Sequence, residues 1–189
     1  MLQRRPFLAA LASAGAWLPA RASDDVLARL RAGGVVLAFR HALAPGTFDP
    51  PGFTLGDCST QRNLSDEGRA QARRLGVWFT AQGLKAAAVK SSPWCRCMDT
   101  ATLAFGSAQA WPALGSPRGS PETTSRAHLD ELRRALQAVG RQPGRLEVWV
   151  THMFVLADLA RENTASGEGL VLRGGPGGEV QVLGRVPSA

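Results

Sequence analysis

Three short segments of this sequence combine arginine, histidine and small hydroxyl residues. They are Arg40-His41, Ser91 to Arg96, and Thr151-His152. A guanidinium group matches the geometry of a phosphate group, and an imidazole can attack phosphorus or donate a proton. Brought together, the three segments would supply two guanidinium and two imidazole groups, which is a set suited to holding a phosphoryl group.

Each of these residues also has a simpler structural explanation when it is taken singly. An Arg-His pair after a strand often begins a solvated loop, and Arg96 could lie on the surface of a helix. His152 could be a core histidine whose hydrogen bonds are satisfied. We interpret His128, which falls in the middle of a predicted helix, as a structural or exposed residue. The position of the other residues relative to the strands favours the functional interpretation.

Each polar segment follows directly after a predicted β-strand. The apolar run Val35–Phe39 is typical of a buried parallel strand, and Arg40-His41 comes at its end. Two further strands are predicted at 86–90 and 146–150, ahead of the other two segments. Because ligands bind at the carboxyl ends of parallel strands, we expect the three segments to converge at one edge of a sheet.

Helical patterns separate these strands. Helices are predicted over 24–32, 66–82, 93–105 and 122–139, and a last one ends near residue 161. Residues 44–57 are rich in proline and glycine and are predicted to form a loop, and two final strands are predicted at 169–172 and 179–186. This order predicts an α/β fold, a three-layer sandwich with a mostly parallel central sheet.

Residues 1–22 are predicted to be a signal peptide, which leaves a single domain over 23–189. Arg4 and Arg5 precede a short apolar run, and Ala20-Arg21-Ala22 fits an export cleavage site. The segment Arg4 to Leu8 resembles a twin-arginine signal, an ordinary secretory signal is the alternative, and an uncleaved anchor is a third interpretation. No apolar span of about 20 residues occurs, so we expect no integral membrane segment after cleavage and a periplasmic or secreted protein.

The charge of the chain favours anionic ligands. The formal net charge is +7, and it falls to +4 without residues 1–22, which contain Arg4, Arg5 and Arg21 and no acidic residue. A modest positive charge steers anions toward a protein. No basic run with interleaved aromatic residues is present, so nucleic-acid binding is not predicted.

Three cysteines, Cys58, Cys95 and Cys97, could be oxidised in an exported protein. A bridge from Cys58 to either Cys95 or Cys97 would close a loop of about 40 residues and contribute on the order of 4 kcal/mol in the chain-entropy model. The third thiol would remain free. A zinc site is disfavoured, because these cysteines and the distant histidines do not form a ligand pattern.

The polar segments fit the motifs of a known family, in the order in which that family carries them. Arg40-His41-Ala42 is close to Arg-His-Gly, and Asn63 to Ala72 is close to Leu-Thr-x-x-Gly-x-x-Gln-Ala. Ser91 to Ala101 matches Ser-Ser-x-x-x-Arg-x-x-x-Thr-Ala, and Thr151-His152 matches a late strand-end histidine. The sequence therefore resembles the histidine phosphatase superfamily, which includes the phosphoglycerate mutases and acid phosphatases. The third position of the first motif differs from the family pattern, because this chain has Ala42 where the family has glycine.

The resemblance implies a phosphoglycerate mutase-like fold and a metal-independent, cofactor-free phosphatase. His41 would attack phosphorus and form a phosphohistidine that water then hydrolyses. Arg40 and Arg96 would bind the phosphoryl oxygens and keep His41 neutral, and His152 would donate to the same oxygens. Arg62 and Thr151 are further candidates for contacts with the substrate, although Arg62 could instead form a salt bridge within its loop.

The general acid is less well defined by the resemblance. One branch of the family has Asp directly after the late histidine, where this chain has Met153. The other branch has a Glu between the arginine motif and that histidine, and Glu122 is the best-placed candidate. Glu122 could equally be a carboxylate that stabilises a helix start, and Asp57 is a second candidate.

The expected function is that of an exported phosphomonoesterase acting on a small phosphorylated substrate. The segment Asp57 to Asn63, with the Cys-x-Cys around Arg96, is similar to a small exported branch associated with removing phosphate from lipopolysaccharide core sugars. That similarity makes a phosphosugar the candidate substrate. One alternative is a non-catalytic phosphate-binding or interaction protein of the same fold. A phosphosugar mutase is disfavoured, because a chain this short has little room for segments that enclose a substrate.

Overall fold

The computed structural model of the chain describes residues 22–116 and 126–188, which contain five α-helices and six strands. The helices are α1 (Asp24–Ala32), α2 (Asp66–Ala81), α3 (Cys95–Phe105), α4 (Arg126–Gly140) and α5 (Met153–Ala160). The strands are β1 (Val35–Arg40), β2 (Ala88–Ser91), β3 (Gln109–Ala110), β4 (Leu146–Thr151), β5 (Gly169–Gly174) and β6 (Val180–Val186). Two short 3-10 helices, Cys58–Thr60 and Pro112–Leu114, lie in the connections.

The six strands form one sheet in the order β3-β2-β4-β1-β5-β6. Strands β1 to β4 are parallel to one another, whereas β5 is antiparallel to both β1 and β6. Arg40 at the end of β1 pairs with Thr151 at the end of β4, and Ser91 at the end of β2 pairs with Val150. The three polar segments therefore leave the sheet at the same edge.

Helices cover both faces of the sheet. Alternate residues of a strand point to opposite faces, so Leu37 and Phe39 contribute to one core and Val36 and Ala38 to the other. The first core contains apolar residues of α1, α2 and α3, and the second contains those of α4 and α5. This arrangement confirms the predicted three-layer α/β sandwich with a mostly parallel central sheet.

The element boundaries differ slightly from the prediction. Helix α3 begins at Cys95 instead of residue 93, because Trp94 is extended, with φ −63° and ψ 137°. Strand β3 was not predicted, since its two residues are exposed and carry no apolar alternation. The predicted start of the fourth helix at 122–125, like residues 1–21 of the predicted signal peptide, lies outside the described residues. Among the described helices, none is long and apolar enough to cross a membrane.

Helix α2 makes a close contact with the loop that follows β1. A Cβ atom at Gly68 would lie 2.0 Å from the carbonyl oxygen of Leu43, so only glycine permits this approach. The Oγ atom of Ser65 caps the helix by accepting a hydrogen bond from the Gly68 N–H. The second motif predicted the start of α2. This helix start therefore fixes the backbone of Leu43, two residues after His41.

Candidate active site

A pocket opens at the carboxyl edge of the sheet, where the polar segments meet. Its lining includes five predicted residues, which are Arg40, His41, Arg62, Arg96 and His152. Residues that the sequence did not single out complete the lining; they are Thr47, Ser116, Met153 and Phe154. The expected convergence of distant segments is therefore present in the fold.

His41 lies at the floor of this pocket and is only 2% exposed. Its Nδ1 is 2.7 Å from the carbonyl oxygen of Ala42, which can only accept a hydrogen bond, so Nδ1 carries the ring proton. The lone pair of the neutral ring is consequently on Nε2. The φ angle of Ala42 is not positive, so alanine fits where the family motif has glycine.

The environment of His41 keeps its imidazole neutral. The pKa of His41 is lowered to about 3, mainly by burial, and the nearby Arg96, Arg62 and Arg40 contribute in the same direction. The hydrogen bond to the Ala42 carbonyl acts in the opposite direction and is outweighed. A neutral imidazole with a lone pair on Nε2 is the form that a nucleophilic histidine requires.

His152 is held by hydrogen bonds to protein groups at both ring nitrogens. Its Nδ1 is 3.4 Å from Nη2 of Arg96, and its Nε2 is 2.8 Å from Oγ of Ser92. Arginine has no acceptor, so Nδ1 accepts from Arg96 and Nε2–H donates to Ser92. Burial and Arg96 lower the pKa of His152 well below its usual value. The predicted donation from His152 to a phosphoryl oxygen stays a prediction, and in this arrangement His152 orients Arg96.

Three guanidinium groups face the pocket with incomplete hydrogen bonding. The Nε atoms of Arg40, Arg62 and Arg96 are buried, and no group in the described part of the chain accepts a hydrogen bond from them. Arg40 Nη1 donates to the Thr164 carbonyl at 2.8 Å, and Arg62 Nη1 donates to the Ala44 carbonyl. A buried donor without a partner costs about 1–3 kcal/mol, and more when it is charged. Three guanidinium groups around one pocket are suited to an anion with several oxygen acceptors.

Arg96 is held by a carboxylate that the sequence analysis missed. Oδ1 of Asp49 accepts from Arg96 Nη1 at 2.8 Å and from the Arg62 backbone N–H at 2.9 Å. Oδ2 of Asp49 accepts from Trp94 Nε1 at 3.2 Å. The side chains of Arg96 and Asp49 are 2% and 4% exposed. No sequence signal marks this role, because Asp49 lies in a loop rich in proline and glycine that has no periodic pattern.

The loop around Asp49 is cross-linked to the start of α3. A disulfide joins Cys58 to Cys95, which selects one of the two pairings that the sequence left open. The Gln61 side chain accepts a hydrogen bond from the Cys95 backbone N–H at 3.0 Å. Cys97 is the free thiol; it is buried, and burial raises its pKa to about 12. The segment 44–62, called the strap below, is thus fixed to the helix that carries Arg96.

Two other predicted candidates are not among the residues that line the pocket, and a third lies outside the described residues. The Thr151 hydroxyl donates to the Leu114 carbonyl at 2.6 Å and Thr151 does not line the pocket, so the predicted contact of Thr151 with substrate stays a prediction. Asp57 caps the 3-10 helix of the strap by accepting from Ser59, away from the pocket lining. Glu122 lies outside the described residues. Arg62, by contrast, lines the pocket, and its backbone N–H donates to Oδ1 of Asp49.

The pocket carries a net positive charge. Three arginines line it, Asp49 is the carboxylate bonded to one of them, and both imidazoles are kept neutral. Within residues 22–116 and 126–188, no cluster of three or more His, Cys, Asp or Glu side chains could hold a metal ion. The arrangement can bind a small polyanion with protein cations and present the Nε2 lone pair of His41 to it.

Comparison with known proteins gives a family match and a set of similar folds. The family model described as "Histidine phosphatase superfamily (branch 1)" matches residues 57–118. No curated protein matches the sequence significantly. The matched segment includes the end of the strap, α2, β2 and α3, which carries Arg96.

Several solved structures share the fold at low sequence identity. The protein histidine phosphatase SixA complexed with tungstate is 16% identical, with a TM-score of 0.58 over 82% of this chain and 97% of that chain. A phosphoserine phosphatase mutant from Entamoeba histolytica in complex with phosphoserine is 11% identical, with a TM-score of 0.57 over 82% and 97%. A mycobacterial glucosyl-3-phosphoglycerate phosphatase is 16% identical, with a TM-score of 0.56 over 82% and 98%.

The buried pair of Asp49 and Arg96 leads to a stability prediction. Asp49→Ala leaves the Arg96 guanidinium buried without its counter-ion, so we expect a loss of about 3 kcal/mol in the free energy of unfolding. Asp25→Ala is the matched control, because Asp25 pairs with Arg29 at the exposed surface and should contribute less than about 1 kcal/mol. Urea denaturation of the two variants measures both values. Equal losses would show that Asp49 does not hold Arg96 as described.

The low pKa of His41 leads to a pH prediction. An unfolded histidine titrates near 6.5, so between about pH 3 and 6.5 the unfolded chain binds a proton that folded His41 does not. Stability should therefore fall as pH is lowered through this window, by up to about 1.4 kcal/mol per pH unit for this residue. His41→Asn should remove that part of the slope in urea titrations from pH 7 to pH 4.5. An unchanged slope would contradict the neutral form of His41.

Proposed function

We propose that this chain, which belongs to the histidine phosphatase superfamily, hydrolyses phosphate monoesters through a phosphohistidine intermediate on His41. One observation supports the proposal above the others. The Nε2 lone pair of a neutral, buried His41 lies in a pocket lined by three guanidinium groups whose Nε donors have no acceptor among the described residues. A tetrahedral phosphoryl group carries several anionic oxygens that could accept hydrogen bonds from these guanidinium groups.

In the first step, Nε2 of His41 attacks phosphorus in line with the bond to the leaving oxygen. The N–P bond forms as the P–O bond breaks, and the electron pair of that bond leaves with the oxygen. Arg40, Arg62 and Arg96 stabilise the charge on the three equatorial oxygens. The phosphorylated imidazole carries a positive charge, and the Ala42 carbonyl, which accepts from Nδ1–H at 2.7 Å, stabilises it.

In the second step, water attacks the same phosphorus atom and Nε2 of His41 leaves, which releases inorganic phosphate and restores the neutral ring. The leaving oxygen of the first step needs a proton. No carboxylate of the described residues lines the pocket, and Glu122 remains our candidate for that donor. Substrates whose leaving groups are good would depend least on it. The charge that a metal ion supplies in other phosphatases is supplied here by the three arginines.

The substrate that we propose is a small phosphorylated compound, with a phosphosugar such as a lipopolysaccharide core sugar as the candidate. The pocket around His41 suits a small phosphorylated group, since four of the residues that line it, His41, Arg96, Ser116 and His152, are buried. The similar folds include enzymes named for phosphoserine and for glucosyl-3-phosphoglycerate. Both names describe small phosphate monoesters, in agreement with this substrate class.

Catalysis by His41 can be tested with an aryl phosphate and purified protein in the presence of a chelator. We expect hydrolysis that vanadate inhibits, abolished in His41→Ala and reduced on the order of 100-fold or more in Arg96→Ala. His128→Ala is the control, because His128 lies on α4 outside the pocket lining. Rapid quenching with labelled substrate should trap phosphate that is stable in alkali and labile in acid, on the wild type and not on His41→Ala.

Two results of this experiment would separate the alternatives. Phosphate binding without turnover would support the non-catalytic phosphate-binding protein. Full turnover in folded His41→Ala would reject His41 as the nucleophile.

We also propose that the protein is exported to the periplasm or secreted. The disulfide between Cys58 and Cys95 supports this proposal, since disulfides persist mainly in oxidising compartments. Ser23, the residue after the proposed cleavage site, caps α1 by accepting from the Val26 backbone N–H at 3.4 Å, so a chain cut there keeps its first helix cap. N-terminal sequencing of protein from a periplasmic extract should read from Ser23. Protein that is found only inside the cell with residues 1–22 intact would contradict export.

A further inference from the structure

We propose that Phe48 and Phe154 form a second subsite at the mouth of the pocket, which binds a ring with an apolar face on the leaving group. The inference rests on the proposed phosphatase function, and it narrows the substrate class. An aromatic ring and the C–H face of a sugar ring both present such a surface.

The two phenylalanines form a stacked pair beside the anion pocket. Their ring centroids are 6.3 Å apart and their planes differ by 9°. Phe154 lines the pocket, and Phe48 directly follows Thr47, which also lines it. Phe48 is 58% exposed, one of three large apolar side chains that are exposed among the described residues, along with Leu43 and Val77.

The backbone on both sides of this pair is held in place. The residue after Phe48 is Asp49, which is fixed by hydrogen bonds with Arg96, Arg62 and Trp94. Phe154 lies in the first turn of α5, two residues after His152. The aromatic pair therefore keeps a fixed position relative to the three guanidinium groups. An apolar surface that is exposed and already ordered loses little conformational entropy when a ligand covers it.

The direction of the reaction places the leaving group on this side of the pocket. His41 is at the floor, 2% exposed, and its attack on phosphorus must be in line with the departing oxygen. The leaving group therefore lies opposite His41, toward the solvent-exposed mouth where Phe48 stands. The arginines satisfy the phosphoryl oxygens, and a phenyl ring offers no hydrogen-bond donor. The group that Phe48 and Phe154 recognise must accordingly present an apolar face.

The proposal can be tested by binding alone, with phosphonates that cannot be hydrolysed. Methylphosphonate, phenylphosphonate and cyclohexylphosphonate share the anionic group and differ in the presence and type of ring. Isothermal titration of the wild type should show that at least one ring phosphonate binds tighter than methylphosphonate, on the order of 5-fold. Phe48→Ala should lose this advantage and keep its affinity for methylphosphonate. Phe48→Trp should retain the advantage.

Val77→Ala is the matched control, because Val77 is an apolar side chain, 71% exposed, on α2 outside the pocket lining. It should bind all three phosphonates as the wild type does. A preference for the phenyl compound would identify an aromatic leaving group, and a preference for the cyclohexyl compound would identify a sugar-like ring.

The failure of this subsite can be distinguished from failure of the proposed function. Equal affinity of the wild type for all three phosphonates, or an equal loss for all three in Phe48→Ala, overturns the subsite while aryl phosphate hydrolysis by His41 still stands. If the wild type fails to bind any of the phosphonates, the subsite is also overturned. If the same preparation also fails to hydrolyse aryl phosphate, the proposed phosphatase function is rejected as well.

Discussion

The pocket confines three guanidinium groups of like charge, and within the described residues the carboxylate of Asp49 balances one of them. Like charges at short range in a medium of low dielectric constant repel strongly, so the fold must hold each arginine by other means. Carbonyl oxygens of Thr164 and Ala44 accept from Arg40 and Arg62, and Asp49 accepts from Arg96. Each of these contacts uses an Nη atom and leaves Nε buried without an acceptor among the described residues. The arrangement sacrifices stability in the free protein, and an anion with several oxygens would restore it.

The same burial determines the state of the two imidazoles. Removing water from around His41 disfavours its charged form and strengthens every electrostatic contact that a bound anion makes with the arginines. A more exposed His41 would be protonated over more of the physiological pH range and would lose its lone pair. Ser92 and Arg96 together fix the ring of His152, so its tautomer follows from its neighbours and not from its own titration. A reactive neutral histidine and a strong anion site thus have one physical cause.

The fold and the convergence of the polar segments could be predicted because both depend on periodicity and on strand ends. The apolar run at β1 and the register that pairs Arg40 with Thr151 bring the segments to one edge. Side-chain direction could not be predicted in the same way. Thr151 lies at the carboxyl end of β4, yet its hydroxyl donates to the carbonyl of Leu114 in a connection that has no periodic signal. Asp49 was missed for the same reason, since contacts between a loop and a distant helix leave no local pattern.

The strap shows why the disulfide pairs Cys58 with Cys95 and not with Cys97. Positions two apart on a helix point about 200° apart, so only one of the two cysteines can face the strap. Cys97 faces the core and contacts His152, whereas Cys95, at the first turn of α3, is buried against the strap through its bond to Cys58. Between β1 and α2 the chain has no α-helix or strand of its own and few buried apolar residues, so packing alone gives it little stability. Cross-linking it next to Arg96 reduces the entropy that the strap loses on folding. This constraint holds Asp49, Arg62 and Phe48 against the pocket, because all three lie on the same cross-linked segment.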